Sequence, residues 1–222
     1  MTKLTFHGNI VSQPVRTTLW TLRTLGLEHD YKHVELFKDT RSEEFTSKVN
    51  VFGQVPALDV DGTLISQSNT IIRYLANEHD KDGIILPTGD HLERAQAEEI
   101  LDIAATSVRF NMLKAIGPIA IGPLFLGREK ISEEEEKKLI EEVQATFGKL
   151  NTKLGDKTYF TGDKLTAGDV HIFNEIQTAT ALLKIDLSDH SQLNTWYEKV
   201  GQNEVVAELS KEMFEAFAAL SK

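Results

Sequence analysis

The sequence predicts two parts: a small mixed α/β unit over residues 1–79, a linker over 80–89, and an all-helical unit over 90–222. Three observations carry this. Strand-like and helix-like segments alternate in the first third, whereas the later segments repeat apolar residues three and four apart. A Val55-Pro56 step enters one predicted strand and Asp61-Gly62 leaves it, which is the strongest short hairpin pattern available. Between the two parts, residues 79–89 are polar and broken by Gly and Pro.

Leu4-Thr5-Phe6 reads as the first strand, and His7 to Gln13 as a loop. Pro14 suits a first helical position, because the amide it lacks would be unpaired there in any case. Apolar Val15, Leu19, Leu22 and Leu25 then mark a helix that Gly26 stops. Tyr31 to Leu36 alternates as a second strand, and Ser42 to Val49 is a short helix. Ala57–Val60 and Thr63–Ile65 form the hairpin, and Gln67 to Glu78 a third helix. The order is β-α-β-α-β-β-α: a parallel unit, then an antiparallel hairpin and a last helix.

Beyond the linker, Asp90 with Glu93 reads as a capping box opening a helix that runs through Ile100, Ile103, Ala104 and Val108 toward Leu113. Ala115 to Leu126 is strongly apolar, but its two Gly-Pro pairs rule out one continuous helix. It is either plain core or the wall of an apolar pocket. Ser132 with Glu135 is a second box, followed by the stripe Leu139, Val143, Phe147, Leu150 and Leu154. Thr166-Ala-Gly-Asp169 is a third, with Leu165 and Val170 placed as a hydrophobic staple. Two helices follow, around Leu193–Val200 and Val205–Leu220.

Composition narrows the function. A chain of 222 residues, 41% hydrophobic and 26% charged, is long enough for a substantial core. The net charge of −10 argues against a nucleic-acid or anionic-membrane surface, both of which need a basic footprint. With no cysteine there is no disulfide, thiolate metal site or cysteine nucleophile. No apolar leader follows Met1 and no run is long enough to span a bilayer, so a cytoplasmic protein is expected. The seven histidines show no metal-binding spacing, and no metal is expected.

Two serines open predicted helices. Ser12, in Asn9-Ile-Val-Ser-Gln-Pro-Val-Arg16, is either a plain N-cap or a donor to an anion held at the helix N-terminus. No nucleophile elbow surrounds it. Ser68 is open to the same two readings, and Gln67 beside it adds a neutral hydrogen-bonding group. Together with the strand-edge amides at Val55-Pro56, the segment suits the main chain and carboxylate of a small peptide.

At this point the chain resembles the cytosolic glutathione transferase family over essentially its whole length. Gly53-Gln-Val-Pro56-Ala-Leu, Asp61-Gly62 and Gln67-Ser68-Asn-Thr-Ile-Ile-Arg-Tyr-Leu75 resemble the glutathione-binding half of that family's thioredoxin-like domain. Phe160-Thr-Gly-Asp-Lys-Leu-Thr166-Ala-Gly-Asp169 resembles the buried capping box of its helical domain. The resemblance implies backbone hydrogen bonds from Val55 to the cysteinyl part of glutathione, beside a cis Pro56. It implies that Gln67 and Ser68 hold the γ-glutamyl end, and that Arg41 and Gln54 approach the glycine carboxylate. Asp102 would reach the γ-glutamyl amine in a neighbouring subunit, which implies a homodimer. Ile10, Val11, Met112, Leu113 and Ile116 would line a hydrophobic substrate site, and Asp169 would be structural.

Ser12 in Ser-x-Pro-x-Arg resembles the serine-using theta, delta and phi-like groups, since Phe6-His7 stands where other classes place a tyrosine. The implied task is to stabilise the glutathione thiolate, with Arg16 adding positive potential or bracing the loop. Gln67 stands where glutamate is usual, Val51 where proline is usual, and Thr70-Ile71 where Ala-Ile is frequent. The expected activity is conjugation of glutathione, as co-substrate, to small hydrophobic electrophiles. The alternatives are a glutathione-dependent peroxidase or disulfide reductase on the same fold, and a non-catalytic binding or scaffold protein. The end at Lys222, about where such a fold should stop, weighs against the gamma subunit of translation elongation factor 1.

Overall fold

β1 (Leu4–Gly8) alternates buried Leu4, Phe6 and Gly8 with half-buried Thr5 and His7, as a strand with one face in the core must. It pairs in parallel with β2 (Asp30–His33) and antiparallel with β3 (Ala57–Val60), which pairs antiparallel with β4 (Thr63–Ser66). The computed structural model describes residues 2–220, and the sheet order is β2-β1-β3-β4. β2 is shorter than the alternation of residues 31–36 predicts: beyond His33, Phe37 has positive φ and the chain turns through Asp39–Arg41.

α1 (Gln13–Thr24) was expected to bury a stripe, yet Gln13 through Leu22 are all buried. Its threonines make this tolerable. Thr17, Thr18 and Thr21 donate their hydroxyls to carbonyls one turn back, at Gln13 (3.2 Å), Pro14 (2.9 Å) and Thr17 (3.1 Å), so no hydroxyl among them is stranded. α2 (Glu43–Lys48) is capped by the Ser42 hydroxyl, which accepts from the Phe45 amide at 3.1 Å. α3 (Ser68–His79) packs Ile71, Ile72 and Leu75 into the core.

The segment read as a linker is anchored. The buried Asp80 carboxylate accepts the amides of Ile84 (2.8 Å), Ile85 (2.6 Å) and Leu86 (3.2 Å), and Ile85 and Leu86 have no exposed surface. The chain divides into two units: the part up to Arg94 with the segment from Asn203 onward, and residues 95–202. The last helix, α10 (Glu204–Leu220 in chain order), therefore groups with the sheet rather than with the preceding helices. Arg23 grips it with a forked pair to Glu212 at 2.6 and 3.0 Å, and Trp20 donates to Asn203 at 3.2 Å.

α4 (His91–Ile103) enters the second unit at Ala95 and is followed there by a π-helical turn, Ala104–Val108, and by α5 (Arg109–Ile116). The Gly-Pro pairs were expected to break the chain next. Instead a second π turn, Gly117–Ile121, leads into α6 (Gly122–Phe125). A proline ring clashes with the carbonyl four residues back and brings no amide, and the wider π turn accommodates both defects.

α7 (Glu133–Leu154) opens with the Ser132/Glu135 capping box and four glutamates in its first turn, where the helix dipole favours them. α8 (Ala167–Leu183) runs through the middle of this unit, with α9 (Ser191–Gly201) beside it. The Asp169 carboxylate ties the start of α8 to its surroundings. It accepts from the Phe160 amide (2.9 Å), the Thr166 amide (3.1 Å) and hydroxyl (2.9 Å), and Trp196 Nε1 (3.0 Å). Burial nevertheless raises the Asp169 carboxyl above its ordinary value, against those four donors. Gly168 lets α8 approach α4: a Cβ there would lie 2.8 Å from Ile100 Cγ2 and 3.1 Å from the Leu101 nitrogen.

Candidate active site

The register decides which loops meet. Gly8 pairs with His33, His7 with Ala57, and Ala57 with Ser66. The exits of β1, β2 and β4 and the entry of β3 thus lie at one edge of the sheet. That edge gathers Ser12 after β1, Arg41 after β2, Gln54, Val55 and Pro56 before β3, and Gln67 and Ser68 after β4.

Ser12 is the N-cap of α1 by backbone geometry, but its hydroxyl makes no capping hydrogen bond. It is 8% exposed. The loop beneath it is held from two sides. Asn9 donates Nδ2 to the Val34 carbonyl (3.0 Å), accepts the Val11 amide on Oδ1 (3.2 Å), and takes the Ser12 amide on its carbonyl (3.0 Å). Arg16, fully buried, donates Nη1 to the carbonyls of Ile10 and Val11, each at 3.1 Å. Of the two roles open to Arg16, these two bonds fit bracing the loop. Ile10 and Val11 are half-buried on the same loop.

Val55-Pro56 is a cis peptide, and Val55 stands just outside the β3–β4 ladder. The turn before it depends on Asn50, a residue that the sequence reading passed over. Its Nδ2 donates to the Gln54 carbonyl (2.8 Å) and its Oδ1 accepts the Phe52 amide (3.1 Å). An asparagine two residues before an amide it can accept is an Asx-turn pattern, so the sequence held the information. Gly53, at φ 59°, is required here: a Cβ would sit 2.5 Å from the Thr40 carbonyl oxygen. That close approach sets the 37–41 loop against the turn. Arg41 lies over the Phe37 ring at 5.5 Å and is exposed.

Gln67 takes positive φ (72°) and caps no amide of α3, and its Nε2 meets Gln54 Oε1 at 3.4 Å. Ser68 begins α3, 8% exposed. Neither α1 nor α3 has an acidic residue in its first turn, in contrast to α2 and α7. Two helix N-termini without competing carboxylates reach the same edge, which favours an anion there. His7 is held below its ordinary pKa mainly by burial, with Asp59 and Asp30 pulling the other way.

The remaining candidates lie on the second unit. Asp102 is exposed on α4, Leu113 is half-buried on α5, and Met112 and Ile116 have no exposed surface. Among the described residues no group of three or more His, Asp or Glu is arranged to hold a metal ion. None of their helices is long and apolar enough to cross a membrane.

Comparison with known proteins agrees with this fold. The family model for the glutathione S-transferase N-terminal domain matches residues 3–77, and that for the C-terminal domain matches residues 113–204. Glutathione S-transferase F10 of Arabidopsis thaliana is 27% identical over 212 residues, 93% of this chain and 96% of its own. Glutathione S-transferase theta-1 of Gallus gallus is 23% identical over 217 residues, covering 89% and 82%. Among solved structures, an epsilon-class glutathione S-transferase from the housefly, Musca domestica, superimposes with TM-score 0.83 at 29% identity, over 98% of each chain. A glutathione transferase homolog from Drosophila mojavensis, with bound glutathione, gives TM-score 0.86 at 28% identity over 100% and 97%. The chain belongs to the cytosolic glutathione S-transferase family, a family of transferase enzymes.

Proposed function

We propose that this protein binds glutathione along the sheet edge, holds its sulfur as a thiolate beside Ser12, and transfers it to small hydrophobic electrophiles. The observation that carries the reading is the Ser12 hydroxyl, which sits at a helix N-terminus yet caps nothing. A hydroxyl donating to sulfur favours the ionised form, as does the positive end of α1. The thiol proton passes to solvent. The sulfur lone pair forms the new carbon–sulfur bond, and either a leaving group departs with its electrons or an activated double bond takes up a proton.

In this reading Val55 hydrogen-bonds the cysteinyl main chain through its own backbone, and Gln67 and Ser68 take the γ-glutamyl end. Arg41 and Gln54 take the glycine carboxylate. Asp102 serves the neighbouring subunit of a homodimer; of the residues expected to line the apolar electrophile site, Ile10, Val11 and Leu113 keep exposed surface to offer it, whereas Met112 and Ile116 have none and belong to the core. Residues 1–79 are the glutathione-binding domain and 90–222 the helical domain that contributes to the electrophile site, joined by 80–89. The setting is the cytoplasm and the role detoxification. The test is Ser12→Ala. Losing one charge-assisted hydrogen bond lowers turnover about ten- to a hundredfold, while glutathione affinity stays within about threefold. Unchanged turnover removes Ser12 from the chemistry.

A further inference from the structure

Two asparagines hold loops of the sheet edge in the same way, Asn9 after β1 and Asn50 ahead of β3. Both are buried, at 6% and 5% exposure. In each, Oδ1 accepts the amide two residues on, from Val11 at 3.2 Å and from Phe52 at 3.1 Å. The main-chain carbonyl of each accepts the amide three residues on, from Ser12 at 3.0 Å and from Gly53 at 2.8 Å. Each Nδ2 then ties its turn to a carbonyl outside it, Val34 at 3.0 Å for Asn9 and Gln54 at 2.8 Å for Asn50. Each is an Asx-turn inside a β-turn, anchored by the side-chain amide.

The two turns differ in what they end on. The Val34 amide donates to the Gly8 carbonyl at 2.9 Å, a rung beyond the Gly8–His33 pair of β1 and β2. Asn9 Nδ2 supplies the next rung from a side chain, so the main chain is free to leave the sheet and enter α1. Ser12 is then fixed on both sides. Its amide is held by Asn9, and its carbonyl accepts the Arg16 amide at 3.1 Å. Only its hydroxyl is left over. An N-cap serine ordinarily accepts the amide of the second or third helical residue. Here the second is Pro14, which has no amide, and no cap bond forms to the third, Val15. The Asn9 turn therefore sets where the Ser12 Cα–Cβ bond starts and points, while Pro14 helps to leave the hydroxyl uncommitted.

We infer that Asn9 is a positioning residue for Ser12, and that through Ser12 its turn sets how readily the bound glutathione thiol ionises. This rests on reading Ser12 as the donor to that sulfur. A hydrogen bond weakens steeply once its angle falls below about 120°. A loop that lets Ser12 shift thus loses its preference for the thiolate while the contacts to the rest of the peptide persist. The Asn50 turn ends on Gly53, which has no side chain, just ahead of Gln54 and Val55. It bears on holding glutathione, not on its sulfur. Both asparagines are neutral, so replacing them leaves the charged groups around this edge as they are: Arg16 on α1, His7 on β1, and Glu35, Asp39 and Arg41 after β2.

The test titrates the thiol of glutathione bound to the full chain, read by the ultraviolet absorbance of the thiolate, beside kcat across pH and Kd by calorimetry. Asn9→Ala should raise the titration midpoint by about one pH unit, so that kcat falls about tenfold at pH below the midpoint and recovers above it. Its glutathione Kd, measured below both midpoints, should stay within about threefold of the wild type. Asn50→Ala loses the same kinds of bond and should do the reverse, raising Kd about tenfold and leaving the midpoint in place. Asn9→Ser offers the Val11 amide a weaker acceptor and should titrate between the wild type and Asn9→Ala. It is the deciding variant if Asn9→Ala does not fold. A wild-type midpoint in the folded Asn9 variant, or an equal shift in Asn50→Ala, overturns the inference. Ser12→Ala keeps the two readings separate. If it raises the midpoint and the Asn9 variant does not, only the positioning role is lost. If it leaves the midpoint in place, the reading of Ser12 fails first. Where both raise it, Ser12→Ala/Asn9→Ala should titrate with Ser12→Ala alone. A further rise in the double variant would mean that Asn9 acts other than through Ser12, and overturns the inference.

Discussion

Arg16 holds the loop that carries Ser12 from beneath. Its guanidinium is buried and spends Nη1 on two carbonyls of the loop that ends at Ser12. Truncation to alanine removes those bonds and opens space beneath the loop. Arg16→Ala should therefore lose stability, roughly 2–4 kcal/mol, together with turnover. Ser12→Ala has no comparable bond to lose and should leave stability nearly unchanged. Denaturant midpoints beside kcat for the two variants check this. An Arg16→Ala protein as stable as the wild type would falsify the bracing role.

At the scale of elements, Gly168 of α8 packs tightly against Ile100 and Leu101 of α4. Its Cβ would meet Ile100 Cγ2 at 2.8 Å and a backbone nitrogen at 3.1 Å. A side chain can give way but a backbone nitrogen cannot do so locally, so Gly168→Ala must push two helices apart. We expect a loss of about 1–3 kcal/mol, the cost of overpacking, despite alanine's better helix propensity. A raised thermal midpoint would count against this packing. The same elements show what was legible in the sequence. β3, the capping boxes at Ser132 and Thr166, the Asp90 cap (whose carboxylate accepts the Leu92 and Glu93 amides) and the order of strands and helices follow from local chemistry: a turn dipeptide, a cap three residues before its partner, an apolar period. The π turns are not local in that sense. Whether Gly117-Pro118 breaks a helix or widens it depends on what packs around it, and proline statistics favour the break. The meeting of Ser12, Val55 and Ser68 at one edge needed the register, although each was conspicuous alone. Glu175 was invisible for a different reason: a carboxylate amid apolar neighbours on a helix reads as an exposed position until Arg109, 66 residues earlier, is found at its side.

Across the whole molecule, stability should have a plateau bounded by different groups on its two sides. Tyr31, on β2, is pushed up to about 12 from 10.0, chiefly by burial, with the Glu212 carboxylate adding to it and Arg23 opposing. A raised folded value means that the unfolded chain gives up this proton first. Its contribution is complete below pH 10.0 and is lost as pH climbs toward about 12. On the acid side the signs reverse. His7 is depressed from 6.5 and Glu175 from 4.5, so each stabilises above that ordinary value and stops doing so as pH falls through its lower folded value. Glu135 behaves likewise from 4.5, because the Ser132 hydroxyl and amide that cap α7 bind its ionised form. Asp169 opposes them, being raised from 3.8, and softens the acid loss, whereas Asp30, Asp90, Glu142 and Asp186, each lowered chiefly by hydrogen bonds to its ionised form, add to it. Denaturant midpoints measured across pH should therefore be level between about 6.5 and 10.0 and fall on both sides. Tyr159, raised from 10.0 by burial and by the Asp169 carboxylate, adds to the same limb, so Tyr31→Phe should reduce the alkaline fall and remove the step of the tyrosinate titration near 12, leaving the acid limb as it was. An alkaline fall left unchanged by Tyr31→Phe would assign it to other groups.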